Sequence, residues 1–115
     1  MGRIQAGEKE PTVALTKDFR ETVQARVQRD RKFRRGLLRD AVEALLNGET
    51  ALGREILRDF INATIGFPEL SAQTGIHVKT LHQMFGPKGN PTAAKLFTII
   101  ACLQENEGMR LKVVA

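Results

Sequence analysis

The apolar residues of this chain recur mostly at the three- and four-residue spacing that is typical of amphipathic helices. A narrow apolar stripe runs through residues 17–29, and a broader face follows over residues 32–47. The broader face comprises Leu37, Leu38, Ala41, Val42, Leu45 and Leu46. Asn47 and Gly48 indicate where the second helix ends, because both tolerate the left-handed backbone conformation. The pattern therefore predicts two N-terminal helices within residues 16–48.

The middle of the chain predicts one longer helix followed by two short ones. The longer helix covers residues 51–65, with Thr50 as its N-cap and Gly66 at its end. Its inner face comprises Leu52, Ile56, Leu57, Phe60 and Ile61. The two short helices cover residues 68–74 and 78–85.

The C-terminal part predicts one further helix and then a strand. Asn90 is a good N-cap and Pro91 a good first residue for a helix over residues 91–104. The apolar residues of this helix are Ala94, Phe97, Ile100, Ala101 and Leu103. The final "MRLKVVA" alternates apolar and charged residues, which predicts one short β-strand over residues 109–114.

These elements predict an all-α fold with one strand left over. A chain of 115 residues fits one domain, and its hydrophobic fraction of 42% and charged fraction of 27% are typical of globular proteins. We expect a flexible arm over residues 1–15 and a single helical domain over residues 16–115. Within that domain, residues 50–105 form the core that carries the two short helices.

The tight connection between the two short helices predicts a helix-turn-helix, in which the second helix enters the DNA major groove. Gly75 supplies the positive φ that such a turn needs, and Ser71 supplies a small side chain where the helices cross. Four apolar residues would hold the pair together: Leu70, Ile76, Leu81 and Met84. Helix pairs with a glycine turn also occur as plain packing units, so this alternative stays open.

The outward side chains of the second short helix, with those of the "GPKGNP" loop after it, form the predicted DNA-contacting set. Its members are His77, Lys79, Thr80, His82, Gln83, Lys88 and Asn90. We expect Lys79, His82 and Gln83 to read bases most directly, because long polar side chains reach base edges in the major groove. Lys88 and Asn90 are expected to contact phosphates, which position a protein on the duplex.

The net charge of +5 is concentrated in one segment. Residues 20–39 hold eight basic residues, namely Arg20, Arg26, Arg29, Arg31, Lys32, Arg34, Arg35 and Arg39. Such an excess attracts phosphates or an acidic protein partner. It is equally consistent with a solvated helical face.

The chain resembles the HigA-like, or addiction-module antidote, family of small bacterial regulators with a lambda-repressor-like DNA-binding domain. The resemblance rests on "LTKDFRETVQARVQRD", on "LLNGETALGREILRDFINATIGFPELSAQTG" and on "LHQMFGPKGNPT", and it covers roughly residues 15–114. It implies a cytoplasmic, dimeric repressor of its own operon, often encoded beside a RelE-like toxin. The chain departs from the family pattern at His77 and Gly86, where Ser is common, and at "DRKF", where the family often has a proline.

The sequence does not contain the motifs that other classes of function require. His77 and His82 lie five residues apart, whereas a helical metal pair lies about four apart, and no nucleophile motif or nucleotide-binding loop is present. We therefore expect no enzyme activity, no metal and no cofactor. The single Cys102 is interpreted as a small apolar residue. No signal peptide and no apolar run near the roughly 20 residues of a membrane span is found, so we expect a cytoplasmic protein.

The sequence thus predicts a transcriptional repressor of the antitoxin type that binds double-stranded operator DNA. The alternative is a protein-binding antidote that neutralises a RelE-like toxin through the basic N-terminal helices, with the helix-turn-helix as scaffold. A homodimer is expected, because the strand over residues 109–114 has no partner within the chain and a second copy can supply one.

Overall fold

A computed structural model describes residues 25–115 of the chain, and these residues are mostly helical. The helices are α1 (Arg31–Leu46), α2 (Thr50–Ala63), α3 (Phe67–Thr74), α4 (Val78–Met84) and α5 (Ala93–Glu107). Residues 25–29, just before α1, are helical as well. The predicted arm over residues 1–15 and most of the stripe over residues 17–29 lie outside the described residues. The all-α prediction is confirmed for the part of the chain that is described.

A clear break separates residues 25–29 from α1. Asp30 adopts an extended conformation there, and its carboxylate accepts a hydrogen bond from the Phe33 N–H at 3.0 Å. That hydrogen bond, together with the nearby Arg26, lowers the pKa of the Asp30 carboxyl below its ordinary value. Val27, from the predicted narrow stripe, is buried. Helix α1 begins at Arg31, so the start that was predicted for the second helix, residue 32, was right to within one residue.

Helices α1 and α2 pack along each other and form the base of the domain. Gly53 lies at their crossing, where a Cβ atom would come within 2.6 Å of the Leu45 Cγ. Because the Gly53 side of α2 faces α1, the neighbouring Leu52, which was predicted on the inner face, is 47% exposed. Leu46, predicted on the apolar face of α1, is also exposed. The Thr50 cap was wrong: Glu49 occupies the N-cap position, without a side-chain hydrogen bond, and Thr50 is the first helical residue.

One hydrophobic core joins all five helices. Its members are Leu38, Ala41, Leu57, Phe60, Ile61, Phe67, Leu70, Leu81, Met84, Phe85, Ile99, Ile100 and Leu103. The short helices α3 and α4 each bury two or more of these side chains and so take their stability from the longer helices beneath them. An isolated helix of this length is not stable in water, so this packing is what holds both in place.

The start of α5 differs from the prediction. Thr92, rather than Asn90, caps the helix, and its hydroxyl oxygen accepts a hydrogen bond from the Lys95 N–H at 3.2 Å. The buried side of α5 also differs from the prediction. Ile100 and Leu103 are buried as predicted, but Ile99 is buried as well and Phe97 is 61% exposed. The predicted residues Ala94 and Ala101 are likewise exposed.

The tail after α5 contains no strand. Residues 109–115 form neither helix nor strand, although a strand was predicted over residues 109–114. A strand needs a neighbour for its backbone hydrogen bonds, and none of the residues 25–115 is in a strand. The first part of the tail is instead fixed to α5, because the Leu111 N–H donates to the Gln104 Oε1 at 2.6 Å. Val113 and Val114 are almost fully exposed.

Candidate nucleic-acid interface

The turn between α3 and α4 is held by hydrogen bonds from both sides. Gly75 has a φ of 78°, in the left-handed region that favours glycine, and its N–H donates to the Ser71 carbonyl at 2.9 Å. The Ser71 hydroxyl donates to the Ile76 carbonyl at 2.6 Å across the turn. Ser71, expected only to be small, therefore also fixes the angle at which the chain enters α4. The predicted roles of Gly75 and Ser71 in a tight connection agree with this geometry.

The orientation of α4 about its own axis follows from the residues that it buries. Leu81 and Met84 are buried against the core, as predicted. On a helix of 3.6 residues per turn, the opposite face carries Lys79 and Gln83, one turn apart, and both are exposed. These two side chains form the centre of the outward face of α4.

His77 is the N-cap of α4. Its Nδ1 accepts a hydrogen bond from the Lys79 N–H at 3.1 Å, so the proton of the neutral ring lies on Nε2. The imidazole thus fills the capping role that serine, threonine, asparagine and aspartate usually have. The sequence placed His77 in the DNA-contacting set and did not predict this capping contact.

His82 lies at the side of α4 rather than at its centre. Its ring centroid is 4.7 Å from that of Phe67 at the start of α3, with the planes inclined at 38°. Phe67 also contacts Phe85, with ring centroids 5.8 Å apart. The imidazole of His82 is exposed, but its contact with the tilted Phe67 ring restricts its orientation.

The loop after α4 folds back against the end of that helix. The Gly89 N–H donates to the Gly86 carbonyl at 3.0 Å, and the Arg54 guanidinium of α2 donates to the same carbonyl at 3.1 Å. A Cβ atom on Gly89 would meet the Met84 carbonyl oxygen and would lie 2.6 Å from that of Gln83. Only glycine allows this close approach, and apart from the glycine itself no feature of the sequence predicted it.

A polar groove of about 270 Å³ lies between α4, this loop and the N-terminus of α5. Its polar lining comprises Thr80, Gln83, Lys88, Asn90, Thr92 and Lys95. Four of the seven predicted contact residues therefore come together here, whereas His77, Lys79 and His82 do not line this groove. Thr92 and Lys95 were missed, because their position beside the loop depends on where α5 begins.

The basic segment over residues 20–39 is only partly available to a partner. The Arg34 Nε lies 2.6 Å from the Glu107 Oε2, and its Nη1 donates to the Val27 carbonyl at 2.9 Å. Arg35 donates to the main-chain carbonyl of Glu107. Arg29, Arg31, Lys32 and Arg39 remain exposed, and Arg20 lies outside the described residues. Two of the eight basic side chains thus tie α1 to the end of α5.

Residues 25–115 were also searched for a metal site, a reactive cysteine and a membrane-spanning helix. No three His, Cys, Asp or Glu side chains in this range come together as a metal-binding group. Half-buried Cys102 donates to the Gln73 Oε1 at 3.2 Å, and burial raises the pKa of its thiol. None of the described helices combines the length and the apolar character of a membrane-spanning segment.

Comparisons with protein-family models, with curated proteins and with solved structures found no match to this chain. What can be inferred about function therefore comes from the geometry of α3, α4 and the loop after them.

Proposed function

We propose that α3 and α4 form a helix-turn-helix of lambda-repressor-like type, and that the protein is a sequence-specific DNA-binding repressor of the antitoxin kind. The observation that carries the proposal is the presentation of Lys79 and Gln83. Both stand exposed on a seven-residue helix whose other face is buried. A capped start and a Ser71 hydrogen bond hold that helix in place. Side chains on a helix that is fixed in this way are positioned precisely enough to read base edges.

Four polar side chains of the surface have assigned roles in this proposal. The Gln83 amide can form two hydrogen bonds to adenine, and the Lys79 ammonium can reach guanine, each worth roughly 1–3 kcal/mol of discrimination. Lys88 and Asn90 contact phosphates, since they lie in the loop that packs against the end of α4. Two copies on a palindromic operator would place their recognition helices about 34 Å apart, one turn of DNA.

Selection from a duplex library with a randomised central segment tests the proposal. Wild-type protein is expected to enrich one sequence, and binding to that duplex is expected to weaken steeply with salt. Gln83→Ala should relax the preference at one base position, whereas Lys88→Ala should weaken binding equally on selected and random duplexes. Glu55→Ala, on the exposed side of α2, is the matched control and should change neither. Failure to enrich any sequence would contradict the proposal.

The second candidate function, neutralisation of a toxin, is favoured by a different surface. Arg26, Lys32 and Arg39 line a groove of about 490 Å³ beside α1 together with Phe33 and Leu37. Asp30 and Asp40 line the same groove, 3.6 Å from Arg26 and 4.0 Å from Arg39. Basic and apolar side chains along one helix suit an acidic, amphipathic segment of a partner. Co-expression with the product of a neighbouring gene tests this role. Charge reversal by Lys32→Glu and Arg39→Glu should abolish copurification and leave DNA selection unchanged. Copurification that persists in this double variant would contradict the toxin-binding role.

A further inference from the structure

Residues 86–92, the α4–α5 loop, carry two of the side chains assigned to phosphate contacts, Lys88 and Asn90. None of the loop residues is buried, and four of them are exposed, namely Pro87, Lys88, Asn90 and Thr92. Little apolar packing therefore holds the loop in one conformation. A segment with few buried contacts and exposed backbone hydrogen bonds opens easily. The bonds that connect this loop to the rest of the domain thus decide where its side chains lie.

One side chain from another helix is bonded to the α4–α5 loop. The Arg54 guanidinium of α2 donates through Nη1 to the Gly86 carbonyl at 3.1 Å. The Gly89 N–H donates to the same oxygen at 3.0 Å, so both acceptor positions of this carbonyl are filled. Within residues 25–115, no other side chain of α1, α2 or α3 forms a hydrogen bond to the loop. Arg54 therefore joins the loop to the base of the domain at the point where the turn closes.

Arg54 itself is well placed for this bond. It is half-buried, and the adjacent Gly53 lies at the crossing with α1, so the helix that carries Arg54 is fixed. None of the ion pairs among residues 25–115 includes Arg54. A hydrogen bond from a charged donor is roughly twice as strong as one between neutral groups. The Gly86 carbonyl is thus held by a strong donor on a rigid element, and this donor does not line the groove beside α4.

We infer that Arg54 is a positioning residue for the phosphate contacts of the α4–α5 loop. The inference rests on the proposed function, because it names what holds Lys88 and Asn90 in place before the duplex binds. A loop that is already fixed loses less conformational entropy on binding, so the affinity rises without any new contact to DNA. Arg54 acts through the Gly86 carbonyl and does not itself touch a phosphate.

Amide hydrogen exchange, measured by NMR on the free protein, tests the anchoring of the loop without DNA. Arg54→Ala removes the donor, and the Gly89 amide is expected to exchange several-fold faster than in the wild type, because the turn that it closes opens more often. The Phe85 amide, which donates to the last turn of α4, should keep its rate. Arg58→Ala is the matched control. Arg58 is also half-buried on α2, but its Nε lies 3.9 Å from a neighbouring carboxylate, and its loss should change neither rate.

A double-mutant cycle on DNA tests the positioning role. Fluorescence anisotropy is expected to show that Arg54→Ala weakens binding about tenfold, which corresponds to one charge-assisted hydrogen bond. The loss should be equal on selected and random duplexes, since phosphates carry no sequence information. In a protein that already carries Lys88→Ala and Asn90→Ala, Arg54→Ala should change the affinity by less than about twofold, because the side chains that it positions are gone. Arg58→Ala should leave the affinity unchanged in both backgrounds.

Three results would overturn the inference. Exchange of the Gly89 amide that is as slow in Arg54→Ala as in Arg58→Ala would show that Arg54 does not hold the loop. Affinity that Arg54→Ala alone leaves unchanged would show that the anchor has no part in binding, and the proposed function would still stand. An equal loss with and without Lys88 and Asn90 would show that Arg54 contacts DNA itself. If wild-type protein binds no duplex, the proposed function fails and the positioning role with it, while the exchange rates still show whether Arg54 anchors the loop.

Discussion

A single ring nitrogen determines how α4 begins. The His77 Nδ1 accepts the Lys79 N–H, one of the first backbone donors of a helix that have no partner within it. Histidine is an uncommon choice for this task, since serine, threonine, asparagine and aspartate are the preferred caps. In a helix of seven residues one capping bond is a large share of all backbone hydrogen bonds, so we expect its loss to be measurable.

Substitution of His77 tests this assignment. His77→Ala removes the acceptor and should lower the free energy of unfolding by about 1 kcal/mol, the typical value of an N-cap. His77→Ser restores an acceptor at the same position and should recover most of the loss. Urea denaturation followed by circular dichroism measures both. Equal midpoints for the alanine and serine variants would show that the ring does not cap α4.

Gly89 offers a second test at the scale of one residue, with Gly36 as its matched control. A methyl group on Gly89 would collide with the backbone carbonyls of Gln83 and Met84, so Gly89→Ala should cost about 1–3 kcal/mol. On Gly36, inside α1, a methyl group finds its nearest neighbour at 3.5 Å, and Gly36→Ala should gain about 0.8–1 kcal/mol of helix propensity. Thermal melting should show shifts of opposite sign, and a Gly89→Ala protein as stable as wild type would disprove the close approach.

At the scale of elements, strong local signals explain what the sequence could predict. Gly75 ends α3 as expected, because few residues other than glycine adopt its positive φ. The apolar spacing also predicted that Leu81 faces inward. Asn90 and Pro91 predicted a helix start two residues too early. Thr92 is also a good N-cap, and it is the residue that caps the helix. Phe97 was predicted to face inward and Ile99 was not, because residues 96–103 are apolar at almost every position and the pattern does not single out one side of the helix.

The sequence pattern did not predict the contacts between segments that lie far apart along the chain. The Arg34–Glu107 pair joins residues 73 positions apart, and nothing in the basic run marks Arg34 as different from Arg31 or Arg39. The groove beside α4 was missed in part for the same reason, because Lys95 reaches it only once α5 is placed. The alternation in the tail was real, but a strand also requires a neighbouring strand, which the local pattern does not report.

The ion pair between α1 and α5 gives a prediction at this scale. The Glu107 side chain is only 8% exposed, so Arg34→Ala leaves a nearly buried carboxylate without its cation and should cost about 3–5 kcal/mol. The matched control is Arg39→Ala, because Arg39 and Asp40 are both more than half exposed at 4.0 Å and such pairs contribute about 0–1 kcal/mol. Chemical denaturation measures the two losses. Comparable losses for Arg34→Ala and Arg39→Ala would contradict the structural role of Arg34.

At the scale of the whole molecule, positive charge collects at two separate places. Lys88 and Lys95 line the groove beside α4, at the N-terminal end of α5. Arg31 and Lys32 lie at the start of α1, which Arg34 and Arg35 hold to the C-terminal end of α5. The 15 residues of α5 span roughly 22 Å. Under the proposed function, a DNA duplex on α4 would meet the first group, whereas the second group would face solvent or another partner.

If the protein binds DNA as proposed, the salt dependence of that binding distinguishes these two groups. Each phosphate that a basic side chain neutralises contributes about 0.9 to the slope of log binding constant against log salt concentration. Replacement of both Lys88 and Lys95 by alanine should therefore lower that slope by about 2, with an equal effect on selected and random duplexes. Replacement of both Arg31 and Lys32 removes the same charge from the protein and should leave the slope unchanged, because these side chains lie at the far end of α5. Fluorescence anisotropy titrations over a range of salt concentrations measure both slopes. If the Arg31 and Lys32 variant loses as much slope as the other, the basic segment of α1 lies on the DNA, and its proposed availability to a protein partner is wrong.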